Sequence, residues 1–598
     1  MTALQPARPE PPDKRGEPPD APSELSPAPS PSPPSGEGAG GGFGGGGSQT
    51  PSGNQPHGRS QRPNVSQPHG RSQPHDGRQP SNRTQPPTET QPPAITLARV
   101  PFPTVDEISR HCLDDSQPET VHIEVHLPGR VDPARLRTAF HRALARHPRI
   151  LMRQAPVRWW HRHYTWQLTA APDVDPVDFP PPGPEALARA RRRALDACPP
   201  LDASPPVRLE VIEEAGGGTV LLLTVHHTAL DGPACLRVLA TAAALYGGAD
   251  SAPGPSPVRA AGPGTERPQA DDRPAAGQRF SRPARIAAAP SRTPHGDRSG
   301  HGGRPGRSTR PEHDDRSKHD ARPGHNARPA HDAPPGHGTP PGNGMLLTNL
   351  PIPPRPPRAP GQAAPYTVND QLLVATWLMI ARWNRLNAPT GPHGAPSPST
   401  SPITITMPVD DRPRGADMPI GNGTRLLTVG FGPEERRDAG PLTADPPEPD
   451  AVARLLRRTA ARTRALKAAP PGRQLGVPTT LLTAPVLPVM LRGAVTRALR
   501  TAAAPWTSTT LLSNIGRIPY PLDFGDAGRP TAVWFSAPAR MPRGLTVTTA
   551  SVADRIQVAL RWSPALLDDA AGARLGDLFR SSLAATAWTP TPADGAAR

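Results

Sequence analysis

His226 and His227 stand side by side, and Asp231-Gly232 follows after Thr228, Ala229 and Leu230. A histidine can take a proton near neutral pH, and a neighbouring group can fix the orientation of its ring, so this stretch has the parts of a general-base site. The plainer reading is a loop in which both histidines are ordinary and Asp-Gly only turns the chain. The flanks favour the first reading. Thr219 to Val225 is an apolar run of strand length, fed by a turn at Gly216-Gly217-Gly218. Beyond the loop, Pro233 suits a first helical position, and Leu236, Leu239, Ala243 and Tyr246 recur at helical spacing. The histidines therefore fall where a buried strand ends, held by a rigid element yet able to face a cleft.

The elements around this loop are read in order. Order begins near Ile95. Val121 to Leu127 alternates apolar and polar, which predicts a half-buried strand with His122 and His126 on its solvent face. Asp132-Pro133 predicts a capped helix start, with Leu136, Phe140 and Leu144 on one face and an end at His147-Pro148. Trp159-Trp160 and Tyr164 to Thr169 suggest a strand, Pro184 to Ala197 a helix, and Val207 to Ile212 the hairpin partner of the histidine strand. In the second half, Thr367-Val368-Asn369-Asp370 resembles a capping box, and Leu372, Leu373, Thr376, Trp377, Ile380 and Trp383 make a buried stripe. Helices are predicted over 451–466 and 488–501 and around Leu575 to Leu583, and strands over 403–407, 509–513, 532–536, 545–551 and 555–561. Strands and helices mixed in both halves predict an α/β (α+β) arrangement occurring twice.

Composition limits how much of the chain can pack. The sequence holds 91 Pro and 55 Gly among 598 residues, concentrated in two blocks. Residues 1–95 read as a disordered arm, in which Gln-Pro-His-Gly-Arg-Ser occurs at 55–60 and again at 67–72. Residues 251–344 read as a disordered insertion, with a histidine every sixth residue from His313 to His337. Histidines so spaced in a Pro/Gly chain are not pre-organised as ligands, so repeat expansion is a simpler reading than a metal site. What remains is a lobe at 96–250, a lobe at 345–590 and a tail at 591–598. The net charge of +16 comes almost wholly from arginine. These arginines are scattered among acids and accompany no nucleic-acid module, so no nucleic-acid partner is expected. Cys112, Cys198 and Cys235 are too few and too far apart for a disulfide framework or zinc site. Neither a signal peptide nor a run of 18 apolar residues is seen, so a cytoplasmic protein without a membrane span is expected.

At this point the chain resembles the superfamily that includes nonribosomal peptide synthetase condensation domains, chloramphenicol acetyltransferase, plant BAHD acyltransferases and mycobacterial polyketide-associated acyltransferases. The resemblance runs from about residue 100 to 590 without the insertion. It rests on His226 to Gly232, on Gly129 to His147, on Pro199 to Asp202 with Pro205 to Arg208, on Pro408 to Arg414 with Gly421-Asn422, and on Leu512 to Gly516. It implies a chloramphenicol-acetyltransferase-like pseudo-dimer of two α/β lobes with a tunnel between them. By the resemblance His227 is the general base, and His226 is structural. Asp231 forms a salt bridge with Arg412, Gly232 gives a backbone path that a Cβ would obstruct, and Ser513 and Asn514 lie near the tunnel. No bound cofactor or metal is implied. The donor is an acyl-CoA or a phosphopantetheinyl thioester on an acyl or peptidyl carrier protein, the acceptor a small amine or alcohol, and the setting bacterial secondary metabolism. The plant-type Asp-Phe-Gly-Trp-Gly segment is absent, as is any carrier or adenylating segment, so a free-standing, monomeric enzyme is expected. The competing expectation is a non-catalytic module of this fold that binds carrier proteins and recruits partners.

Overall fold

Several helix starts in this chain are set by short polar side chains. Asp132 opens a helix by accepting the Arg135 amide at 2.6 Å, and Thr367 and Asp370 close the expected capping box on another. The computed structural model describes residues 96–114, 117–249, 281–289, 342–357, 364–387, 401–410, 412, 418–468 and 484–589. The expected N-terminal arm, the histidine repeat of the insertion and the C-terminal tail lie outside these residues.

The first half runs β1 (Thr96–Pro101), α1 (Thr104–His111), β2 (Thr120–Leu127), α2 (Pro133–Arg146), β3 (Met152–Gln154), β4 (Thr165–Thr169), β5 (Val177–Asp178), α3 (Ala186–Asp196), β6 (Val207–Glu213), β7 (Thr219–His226) and α4 (Gly232–Tyr246). The second half runs β8 (Gly344–Pro351), α5 (Val368–Leu386), β9 (Ile403–Asp410), β10 (Thr424–Phe431), α6 (Pro433–Arg437), α7 (Ala439–Thr443), α8 (Pro449–Ala468), α9 (Val489–Ala503), β11 (Thr510–Arg517), β12 (Ala532–Ser536), β13 (Leu545–Val552), β14 (Arg555–Trp562) and α10 (Asp569–Ala584). Two large cores result. One is centred on α2, α4 and the sheet β12-β2-β7-β6-β5, the other on α5, α8, α10 and the sheet β10-β9-β11-β13-β14-β8. This is the two-lobed α/β architecture expected from the sequence.

Four expectations are corrected. First, β2 is covered on both faces. His122 lies beneath α3, where its Nε2 donates to the Ala194 carbonyl at 2.7 Å, and Glu124 is held there by Arg191. His122 is thus buried, not solvent-facing, and His126 is half-buried beside Glu124. The alternation of β2 separates two kinds of cover: its apolar residues join the core that also holds α2 and α4, and His122 and Glu124 meet a helix that supplies their partners. Second, the Trp159-Trp160 pair sits in an exposed turn; the strand begins at Thr165. Third, part of the insertion is packed. In residues 281–289 Ala284 and Ile286 enter the second core, and the Ala284 amide donates to the Pro402 carbonyl at 2.8 Å. Fourth, the sheets do not divide at residue 345. β12, from the second half of the sequence, pairs antiparallel with β2, setting Ala532 opposite His126 and Ser536 opposite His122.

Strands β8 and β10 carry no clear sequence signal. β10 exposes Leu426, and β8 forms the edge of its sheet.

Candidate functional site

Strand pairing fixes where the histidines end up. β7 pairs with β2 along its whole length, from Thr219 opposite Leu127 to His226 opposite Thr120. The ladder continues one step further, with the His227 amide donating to the Glu119 carbonyl at 2.8 Å. The chain then turns, and α4 begins under the cap of Asp231, whose Oδ1 accepts the Ala234 amide at 3.0 Å. Sequence reading gave Asp231 a long-range role and missed this local one, although Asp followed by Gly-Pro is a strong helix-start signal.

The two histidines have different surroundings. His226 is buried, its Nδ1 accepting the Thr228 amide at 3.3 Å. Burial, with smaller contributions from His227 and Arg110, pushes its pKa down to about 3, so the ring is neutral. His227 is half-buried and borders a cavity. Its Nδ1 lies 3.1 Å from the Leu230 carbonyl. Because a carbonyl only accepts, Nδ1 carries the proton in the neutral ring, and Nε2 keeps its lone pair.

Asp231 and Arg412 meet. Arg412 Nη2 donates to both carboxylate oxygens, at 3.0 and 2.8 Å, and the Gly423 amide donates to Oδ2 at 3.0 Å. Arg412 is held from its other side by Asp410, which accepts from Nε at 2.8 Å, and by the carbonyls of Pro419 and Gly421. These interactions outweigh burial and keep its pKa above the usual arginine value. Gly423 cannot bear a side chain here, since a Cβ would lie 2.6 Å from Arg412. Gly232 is different. A Cβ there would meet Phe535 and Val121 at 3.5 to 3.9 Å, ordinary contact distances. The expected obstruction of the backbone path does not exist; a Cβ would only narrow the cavity that Gly232 borders.

Sequence reading gave Asn422 no role. Its Nδ2 reaches the carbonyls of His227 (3.2 Å) and Thr228 (2.9 Å) and Asp106 Oδ1 (2.9 Å), so it ties the histidine loop to α1. Asp106 also accepts from Trp166 Nε1 at 2.9 Å, and burial lifts its pKa to about 6 against the lowering effect of Arg149. A carboxylate on an amphipathic helix reads as a surface residue, so no sequence signal marked Asp106.

The cavity beside His227 has a volume of about 480 Å³ and is walled by both halves of the chain. A second, of about 270 Å³, adjoins it, sharing Pro233, Pro408, Thr424, Ser513 and Ile515. Ser513 therefore borders both spaces. Asn514 borders only the smaller, and its side chain is committed to structure: Oδ1 accepts the Gly516 amide and the Thr549 hydroxyl across an irregularity in β11, and Nδ2 donates to Asn369. The larger cavity also carries Arg500, Arg540 and Arg543. Arg540 pairs with Glu119. Arg543 is bonded through Nε to Ser508 and Arg500 through Nη1 to the Cys112 carbonyl, and among the described residues neither has a carboxylate partner. Burial, then Arg500 and Arg285, push the Arg543 pKa below the usual value. Among the described residues no cluster of His, Cys, Asp or Glu is placed to hold a metal ion, and no helix is long and apolar enough to cross a membrane.

No family model matches the chain. It is 26% identical over 423 residues to two Mycobacterium tuberculosis proteins, uncharacterized protein MT2362 of strain CDC 1551 and uncharacterized protein Rv2305 of strain H37Rv, covering 71% of this chain and 84% of each relative. Among solved structures it is similar to the condensation domain of the monacolin K polyketide synthase, with 12% identity, TM-score 0.47, 82% of this chain and 97% of that one. It is also similar to the first condensation domain of the CDA synthetase, with 14% identity, TM-score 0.46, 82% and 97%. A third is the starter condensation domain of rhizomide synthetase in complex with C8-CoA and Leu-SNAC, with 14% identity, TM-score 0.46, 81% and 94%.

Proposed function

We propose that this protein is an acyltransferase of the condensation type, moving an acyl group from a thioester to an amine or hydroxyl acceptor. The observation that carries the reading is the state of His227: its Nδ1 proton is directed to the Leu230 carbonyl, and the ring borders a cavity between the two halves. Nε2 would take the proton from the acceptor as its nitrogen or oxygen attacks the thioester carbonyl. The tetrahedral adduct then expels the thiolate, which takes that proton back from His227 Nε2, so that the thiol and the new amide or ester leave and the ring is neutral again. Asp231 and Arg412 are positioning residues in this scheme, since each is fully engaged by the other and by backbone. Ser513 and Thr424, the polar residues that border both cavities, are the side chains proposed to meet substrate.

Arg500 and Arg543 support a donor that carries phosphate, as CoA and the phosphopantetheinyl arm of a carrier protein both do. A carrier protein is therefore a proposed partner alongside acyl-CoA. The test is to incubate the protein with acyl-CoA or acyl-loaded carrier and a panel of amines and alcohols, following product by mass spectrometry. Product should form, and His227→Ala should lower kcat by about 10² to 10⁴ without changing the unfolding midpoint. Full activity in His227→Ala would refute the mechanism. Tight carrier binding without any turnover would instead favour a non-catalytic carrier-binding module.

A further inference from the structure

Helix α9 is packed inside out. Its buried side carries Val489, Arg492, Gly493 and Thr496, and Arg492 is consumed there by Glu107 at 2.8 Å. Its outer side carries Met490, Leu491, Val495 and Leu499, with Met490 54% and Leu491 49% exposed. The segment leading into the helix adds Val486, 75% exposed. Beside it lies the turn after β3, where Trp159 and Trp160 are 70% and 49% exposed. The two segments are fastened together, the Val489 amide donating to the His161 carbonyl at 2.8 Å and Arg492 Nη2 to the Arg162 carbonyl at 2.7 Å. An apolar face of this kind marks an interaction surface.

Charge indicates what it meets. Residues 155–163 and 484–507 contain no Asp or Glu. Arg158, Arg162 and Arg497 are exposed on them, and Arg158 stands over the Trp160 ring, 5.3 Å from its centroid. Exposed indoles and aliphatic side chains fringed by arginine are the composition of elements that lie in the headgroup layer of an anionic bilayer.

We infer that this face is a peripheral membrane surface, with the Trp159-Trp160 turn and the outer side of α9 entering the interface of a bilayer that contains anionic lipid. The larger cavity lies next to it, since Arg500 at the end of α9 and Thr507 just beyond it both line that space. Substrate could then reach His227 from the lipid side.

The test is sedimentation of the full chain with vesicles of phosphatidylcholine alone and of equimolar phosphatidylcholine and phosphatidylglycerol. Binding should be at least about tenfold tighter to the mixed vesicles and should weaken with salt. The exposed pairs W159A/W160A and M490S/L491S should each lose about tenfold or more, and Arg158→Gln about fivefold, with unfolding midpoints and turnover of a soluble thioester unchanged. Absence of binding to either vesicle, or binding indifferent to these substitutions, would overturn the inference. So would substitutions that spare vesicle binding but weaken capture of an acyl-loaded carrier protein, which would make the face a protein docking site. Vesicle binding is read without turnover, so an inactive protein that binds supports the inference, and an active one that ignores vesicles defeats it while leaving acyl transfer standing.

Discussion

Arg412 and Asp231 form one ion pair, yet their removal should carry unequal costs. Asp231 accepts from two backbone amides and from Arg412, which is its cation. Arg412 has a second carboxylate, Asp410, and two backbone carbonyls. Both side chains are less than a tenth exposed, so water compensates little. Arg412→Ala leaves two carboxylates buried without a cation and should cost about 3–5 kcal/mol. Asp231→Asn keeps an oxygen for the Ala234 amide, an effective cap, and leaves Arg412 paired with Asp410, but sets Nδ2 against the Gly423 amide, so about 1–3 kcal/mol is expected. Denaturant unfolding at near-neutral pH, with the double variant to complete the cycle, measures both costs. The double variant should be less destabilised than the sum of the two. If Asp231→Asn proves as costly as Arg412→Ala, then Asp410 does not sustain the arginine alone and the argument fails.

Asn422→Ala should cost about 1–3 kcal/mol and lower kcat more than it raises KM, because the His227 and Thr228 carbonyls lose their shared donor; Asn422→Asp, nearly isosteric, should be worse, since it sets an acceptor against acceptors. Gly232→Ala should fold with an unchanged midpoint, and any effect should appear in the KM of bulky substrates, as the added Cβ meets only ordinary contacts. Arg543→Gln should raise KM for acyl-CoA about tenfold and leave an N-acetylcysteamine thioester unaffected, a difference that steady-state kinetics with the two donors would reveal. Stability should fall with acid. Burial holds His226 at about 3, His147 at about 4 and His122 well below 6.5, so the unfolded chain takes up three protons below pH 6.5 that the folded chain refuses. Asp106, raised to about 6 by burial, acts in the opposite sense between about pH 4 and 6. The net of about two protons gives a loss on the order of a few kcal/mol per pH unit near pH 5, and a flat midpoint between pH 7 and 5 would count against these environments.

The β7–loop–α4 unit was legible because its signals are local: an apolar run, then Asp-Gly-Pro, then helical spacing. The contact between Asp231 and Arg412 was not legible from spacing and came only through the family resemblance. The cover over β2 was hidden for a physical reason. Alternation looks the same whether the polar face meets water or meets a helix bringing Arg191 and the Ala194 carbonyl. Strand β12 has an ordinary strand sequence, and nothing local tells it to join the other half's sheet. Ala284 and Ile286 are too few apolar residues to stand out from an Arg/Pro-rich tract, although both are buried. Helix α9 was found, but periodicity cannot say which face is covered, and here the less apolar side is the one packed.

The tautomer of His227 connects the fold to the chemistry. Its Nδ1 is directed to the carbonyl of Leu230, the residue before Asp231. Asp231 is fixed by Arg412 and the Gly423 amide, and the opposite end of the loop is fixed by Asn422. All three of those groups come from the second half of the chain. In the proposed mechanism the first half supplies the base and the Leu230 carbonyl that leaves Nε2 free, and the second half holds the loop that carries both. Loosening the ion pair should therefore reduce activity even where the protein remains folded. The signature of this coupling is a fall in kcat for Asp231→Asn at denaturant concentrations far below its unfolding midpoint, with donor KM little changed.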